Sequence, residues 1–342
     1  MEKSEVRFFK ILPFINIVLS FLIVIHHSFN INIDYNVNIK NVAWIIERYL
    51  YNITECAVPI FFFMSAVLFY RDFHGELETF KRKVKNRVKS LLLPYIIFNI
   101  IGYIKHIVFA NQDFGLFRLL GSIITSDTMP LWFLRELFIL SILAPILYKL
   151  KSKRNVEYFV NFFIIILIIT GIVKYRTFVY WLPLYLYGSN HNIYDLINER
   201  KNKYLSIIIV FMFFMMPLFL PNINGNMDML GNIVFYFYRF ISVQFYLCLI
   251  NKLSKYNVKQ HDFYKYSFWV YCTHFPFISI YKLFFSKIIS LFNIDINNVV
   301  LLFQYVSTIC IVCIVCIVCI VSANIVKKLF PKMFLILNGG RC

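Results

Sequence analysis

Charge is what this sequence has least of. Only 15% of its 342 residues are Asp, Glu, Lys or Arg, against 60% hydrophobic, and the mean hydropathy is +0.69. An average soluble chain carries about 25% charged residues, most of them facing water. This chain cannot build such a shell, which excludes a soluble globular domain and makes lipid the solvent. Acidic residues are the scarcer kind, 17 against 35 Lys and Arg, for a net charge of +18. A disulfide framework is lacking as well. Of eight cysteines, Cys310, Cys313, Cys316 and Cys319 sit inside one apolar run and the others are scattered. Residues three apart drift around a helix of 3.6 residues per turn, so those four spread over about half its circumference and form no metal site. No small-residue cleavage site follows the first apolar run, which is therefore expected to stay as a span. The longest connection between apolar runs, 30–52, has 23 residues, so no soluble domain is expected and chemistry must sit among helices or short loops.

What is present is a series of apolar runs near the roughly 20 residues that cross a bilayer. They lie at 11–29, 53–70, 91–109, 130–148, 157–173, 177–190, 205–220, 231–250, 266–283 and 299–326. With both termini cytoplasmic, 25 of the 35 Lys and Arg fall in inside segments, six outside, and four (Lys105, Arg135, Arg239 and Lys282) within spans. Removing the short, Pro183-bearing sixth span would change the split to 15 inside and 16 outside. The positive-inside rule thus predicts ten crossings. The expectation is an all-α integral membrane bundle of about ten transmembrane helices, one domain over 1–342. Its basic charge is a topology signal rather than a nucleic-acid footprint. The bias toward Ile, Phe, Tyr, Asn and Lys reads as AT-rich coding, which points to a bacterium and to nothing firmer.

Ionisable groups inside spans are costly and by default functional. At 100° per residue, Asn16, Ser20 and His27 fall within about 40° of one another, whereas His26 points about 80° from Asn16. This stripe is expected to face the bundle interior and makes His27 the candidate; an inert hydrogen-bonded histidine is the blander alternative. Arg135 and Glu136, adjacent on a helix, do not face each other, so each is expected to find a partner on another span, with Arg239 pairing to Glu136. That arrangement serves equally as a structural pair or as a substrate contact. His274 is expected near mid-membrane on one face with Ser267 and Tyr271. Lys105 and His106 are expected to snorkel. The basic loop Arg71 to Ser90 holds phosphates beside a helix start or anchors to lipid; composition alone favours the second.

Five ordered segments carry a resemblance. They are Asn16 to Ser28 (NIVLSFLIVIHHS), Ala57 to Phe69 (AVPIFFFMSAVLF), Lys81 to Asn99 (KRKVKNRVKSLLLPYIIFN), Pro130 to Pro145 (PLWFLRELFILSILAP) and Ser267 to Pro276 (SFWVYCTHFP). Together they resemble the acyltransferase-3 family of bacterial multi-pass membrane enzymes, which acylate sugars of envelope glycans. The resemblance implies an acyl donor, usually acetyl-coenzyme A as co-substrate with no bound cofactor or metal. It implies as acceptor a hydroxyl of a saccharide or lipid-linked glycan. It also implies an essential histidine at His27, with coenzyme A phosphates at Lys83 and Arg87. Trp132, Arg135, Glu136, Arg239 and His274 are the expected substrate-side residues. Asn16 takes the place of a basic residue expected eleven positions before the histidine, the nearest being Lys10, and Ala66 replaces an expected glycine. The rival readings are a transporter or flippase of lipid-linked glycans and a catalytically inactive relative.

Overall fold

The structure is a computed structural model that describes residues 3–28, 42–110, 113–198, 202–220, 228–291 and 296–341. Among the described residues there are helices and no strands. In chain order they are α1 (Lys3–Ser28), α2 (Val42–Thr54), α3 (Ala57–Tyr70), α4 (Leu77–Arg87), α5 (Leu93–Ala110), α6 (Leu116–Thr125), α7 (Trp132–Ile142) and α8 (Ala144–Ser152). There follow α9 (Arg154–Ile169), α10 (Phe178–Ser189), α11 (Ile193–Asn198), α12 (Lys203–Met215), α13 (Met229–Leu253), α14 (Ser267–Leu291), α15 (Ile296–Leu329) and α16 (Pro331–Leu337). A helix occupies each of the ten apolar segments. Among the described residues five helical runs are long and apolar enough to cross a membrane: Ser4–Ser28, Ile45–Tyr70, Leu77–Val108, Met229–Leu253 and Thr308–Leu329. Outward faces carry large apolar side chains such as Phe159, Phe211 and Ile317. Exposing them to water would be unfavourable, and a bilayer solvates them.

Local signals explain several ends. Asn202 caps α12 by accepting from the Tyr204 amide, and Asp228 caps α13 by accepting from the Gly231 amide at 2.8 Å. Pro145 lies in the first turn of α8, where its missing N–H costs nothing, and the 130–148 run is accordingly split into two helices. The basic segment expected as a loop is instead α4, continued through a π-helical stretch (Val88–Leu92) into α5. Its Lys- and Arg-rich composition favours helix, and nothing between Leu77 and Ala110 breaks it before Pro94, which lies in the first turn of α5.

The described chain divides into two compact units. The first comprises Met1–Leu12, Glu55–Leu92 and Trp132–Gln260. Its core is the pairing of α3 with α10, the short sixth apolar segment, whose residues Tyr180 to Leu186 are all buried. Phe62 stacks on Trp181 with centroids 4.8 Å apart and planes 8° from parallel. Where the helices come closest, a Cβ on Gly188 would stand 2.4 Å from the Phe63 carbonyl oxygen and 3.0 Å from the Ala66 methyl. Small residues permit such approach between membrane helices. The methyl that Ala66 adds is thus met by a bare Gly188. Gly188→Val must push two backbones apart. The expected loss is about 1–3 kcal/mol, read as a lowered thermal midpoint of the detergent-solubilised protein. A wild-type midpoint would show the helices yielding freely.

The second unit comprises Pro13–Thr54, Leu93–Leu131 and His261–Cys342. Its core joins α1, α14 and α15 through Ile17, Val24, Val270, Ile278, Ile311, Val315 and Cys319. Trp269 packs on Phe334 of α16 and donates to Ser322 Oγ at 3.0 Å. The cysteines of α15 are spread around it: Cys319 is buried and bonded by Thr273, and Cys313 is exposed.

Candidate functional site

In the second unit, α1 carries its polar stripe against α14. The Ser20 hydroxyl, 1% exposed, lies 2.9 Å from the Ser267 carbonyl and 2.9 Å from the Asn16 carbonyl one turn back. Asn16 is half-buried. About two turns further along the helix from Ser20, half-buried His27 lies with its ring 5.2 Å from that of His274, 5.9 Å from Phe275 and 5.2 Å from His26. His26 looks elsewhere, as the helical angles predict. Its ring stacks on Tyr51 at 4.3 Å, and Nδ1 lies 2.9 Å from Thr54 Oγ1. Thr54 spends its own hydrogen on the Tyr51 carbonyl, so His26 Nδ1–H is the donor.

His274 is fully buried. Its Nδ1 is 2.7 Å from the Tyr271 carbonyl, which can only accept, so Nδ1 bears the hydrogen and Nε2 the lone pair. Among the described residues nothing hydrogen-bonds to that Nε2. Tyr271 in turn donates to the Pro130 carbonyl at 3.2 Å. Lys105 is half-buried on α5. Its ammonium bonds Ser279 Oγ at 3.2 Å and lies over the Phe275 ring, because α14 offers it both an acceptor and a π face.

In the first unit, the basic run of α4 sorts itself by face. Lys81, Arg82, Lys85 and Lys89 are exposed, whereas Lys83 and Arg87, one turn apart, are half-buried against α3. Both cations lie over the Phe69 ring, at 5.3 and 5.7 Å, and Arg87 donates to the Ser65 carbonyl. Asp72 stands 3.9 Å from Lys83 and takes three hydrogen bonds from Arg71, which hold its carboxyl below the usual range.

A second cluster in this unit centres on Arg239 of α13, 3% exposed. It pairs with Glu55 at 2.8 Å and donates to the Tyr180 hydroxyl, with the rings of Tyr175, Tyr180, Trp181 and Phe235 5.1–6.0 Å from the guanidinium carbon. The expected Arg239–Glu136 pair is not formed: Glu55, immediately before α3, is the acid that packing brings to it. Arg135 and Glu136, expected to find partners on other spans, pair with each other. Arg135 Nε donates to Glu136 at 2.6 Å and its terminal nitrogen reaches the Arg176 carbonyl. Glu136 is buried and needs a cation, and a flexible Arg in the first turns of α7 curls round to supply it. Half-buried Trp132 sits 5.6 Å from Tyr175 and 6.1 Å from Trp181. The structure therefore brings His27 to His274 in one unit. In the other it sets Lys83 beside Arg87, and Trp132 and Arg239 against the shared rings of Tyr175 and Trp181. Sequence reasoning missed Glu55, Tyr180 and Trp181. Glu55 had a signal: only Glu55, Glu136 and Glu157 are acids within the ten apolar segments, and Arg239 required one of them.

Among known proteins, the family model described as an acyltransferase domain matches residues 14–321, nearly the whole chain. No curated protein and no solved structure shows a significant match.

Proposed function

The chain belongs to the acyltransferase-3 family, and on that premise we propose that it moves an acetyl or other short acyl group from acyl-coenzyme A to a hydroxyl of an envelope glycan or its lipid-linked precursor. In this reading the chain crosses a bacterial cytoplasmic membrane ten times with both termini inside, as the 25 to 6 distribution of Lys and Arg supports. His27 is the general base. Its neutral imidazole takes the acceptor's proton as the oxygen attacks the thioester carbon. The carbon–sulfur bond then breaks, and the proton passes to the leaving thiolate. Asn16, on the same stripe, holds the position where relatives place a basic residue and supplies an amide there in place of a cation. Lys83 and Arg87 receive the donor's phosphates, since Arg offers a planar fork and Lys a point charge suited to such anions. Trp132 offers the acceptor a ring, with Arg135, Glu136 and Arg239 of the same unit as the polar groups on the substrate side. The observation that carries the reading is the half-open His27 imidazole, inside the family match and packed against a second imidazole.

The test is acyl transfer by the purified protein in liposomes, supplied with labelled acetyl-coenzyme A and a lipid-linked glycan. Label on the glycan supports the proposal. Movement of unmodified glycan across the bilayer would favour a transporter instead. In the same assay Lys83→Ala with Arg87→Ala is expected to raise the donor KM at least tenfold with kcat little changed, the mark of lost ground-state binding. An unchanged donor KM would remove the phosphate assignment.

A further inference from the structure

His274 is built differently from an inert core histidine. Its side chain is fully buried and its Nδ1–H is committed to the Tyr271 carbonyl, which fixes the tautomer and leaves Nε2 as a bare acceptor. A buried acceptor without a donor is disfavoured and is not retained by packing alone. The neighbouring polar ring is His27, 5.2 Å away and tilted by 32°, on the last turn of α1. This is close enough for a change of rotamer at half-buried His27 to put a ring N–H on that nitrogen.

We propose that His274 is a positioning residue for His27, its Nε2 accepting a hydrogen bond from the His27 imidazolium that forms when the acceptor hydroxyl gives up its proton. His274 exchanges no proton in this scheme. The hydrogen moves from the acceptor oxygen to one nitrogen of His27, while the N–H on the other nitrogen is held by His274 until the thiolate takes the first proton back. A neutral ring thereby does what a carboxylate does beside a catalytic histidine, without burying a negative charge in lipid. The other titratable groups facing the pair are His26 and its stacked Tyr51, Tyr271, and Lys105, whose ammonium lies over Phe275. The inference rests on the proposed role of His27, and the test separates the two.

Three variants of the full-length protein in liposomes decide the matter. His274→Gln keeps an acceptor oxygen at about the reach of Nε2. His274→Asn reaches only as far as Nδ1, and His274→Leu has none. Leu and Asn are expected to lower kcat on the order of 10²-fold with both KM values nearly unchanged, and Gln to regain at least tenfold of it. The pH profile supplies a readout that packing does not move. Losing an acceptor that favours imidazolium lowers the His27 pKa, so the acid limb of kcat must shift to lower pH in Leu and Asn but not in Gln. Equal activity of all three at wild-type protein level, or an unmoved acid limb, overturns the proposal. If Leu fails to reach the membrane, Asn against Gln carries the same comparison. Transfer surviving in His27→Ala would overturn the function itself. Transfer lost there but indifferent to residue 274 overturns only this inference.

Discussion

Replacing His27 by alanine is expected to lower acyl transfer about 10²–10⁴-fold while leaving the amount of protein in the membrane at the wild-type level. The size follows from the loss of a positioned base, since the acceptor hydroxyl is far too weak an acid to ionise at neutral pH. The unchanged protein level follows from where the side chain sits. His27 is on the last turn of α1 and half-open, whereas the residues that hold α1 in its unit, Ile17 and Val24, are buried one turn or more away. Truncation there opens no enclosed cavity. The comparison is made by measuring single-turnover transfer in liposomes alongside the yield of a tagged protein. Transfer within threefold of wild type would remove His27 as the base. Loss of the protein itself would mean that the ring is a structural element. His26→Ala is the natural control, because its Thr54 and Tyr51 contacts tie α1 to α2 and leave the reacting side untouched.

Much of this arrangement is legible in the sequence, and the reasons are physical. Apolar runs report helices because lipid leaves the backbone no other way to satisfy its hydrogen bonds. The angle between residues 16, 20, 26 and 27 is fixed by helical geometry, so the stripe that meets Ser267 and the separate facing of His26 are both readable from spacing. Five segments in order were enough for the family. Partner choice is harder to read. Arg239 has three acids to choose from, and spacing contains nothing about which helix packs beside α13. Arg135 and Glu136 illustrate a different limit. The rule that adjacent residues do not face each other concerns their Cα–Cβ directions, while a three-methylene arginine stem can curl back where burial of the carboxylate rewards it. The basic segment is hard to recognise as a helix because its charge leaves it no apolar stripe. The tendency of Lys, Arg and Glu to favour helix is the signal it carries. The inward turn of Lys83 and Arg87, with Lys81, Arg82, Lys85 and Lys89 left outside, depends on α3 lying alongside and cannot be read from α4 by itself.

Glu55→Ala is expected to cost about 3–5 kcal/mol of stability, because it strands the Arg239 guanidinium in a buried place with only the Tyr180 hydroxyl and aromatic faces for company. A thermal-shift measurement in detergent and the yield from membranes read the loss. Arg239→Met should cost less, since the carboxyl left behind can take a proton and become neutral. The double variant Glu55→Gln with Arg239→Met removes both charges and keeps apolar volume among Tyr175, Trp181 and Phe235, so it should recover most of the stability that either single change loses. Wild-type stability in Glu55→Ala would show that the pair contributes nothing. The activity of the double variant then settles what the cluster is for. If Arg239 only ties α13 to α10 and to the start of α3, folding and transfer return together. If the guanidinium also meets the acceptor, stability returns while the acceptor KM stays raised. The two roles that spacing alone left equal are separated by one measurement on a protein that is demonstrably folded.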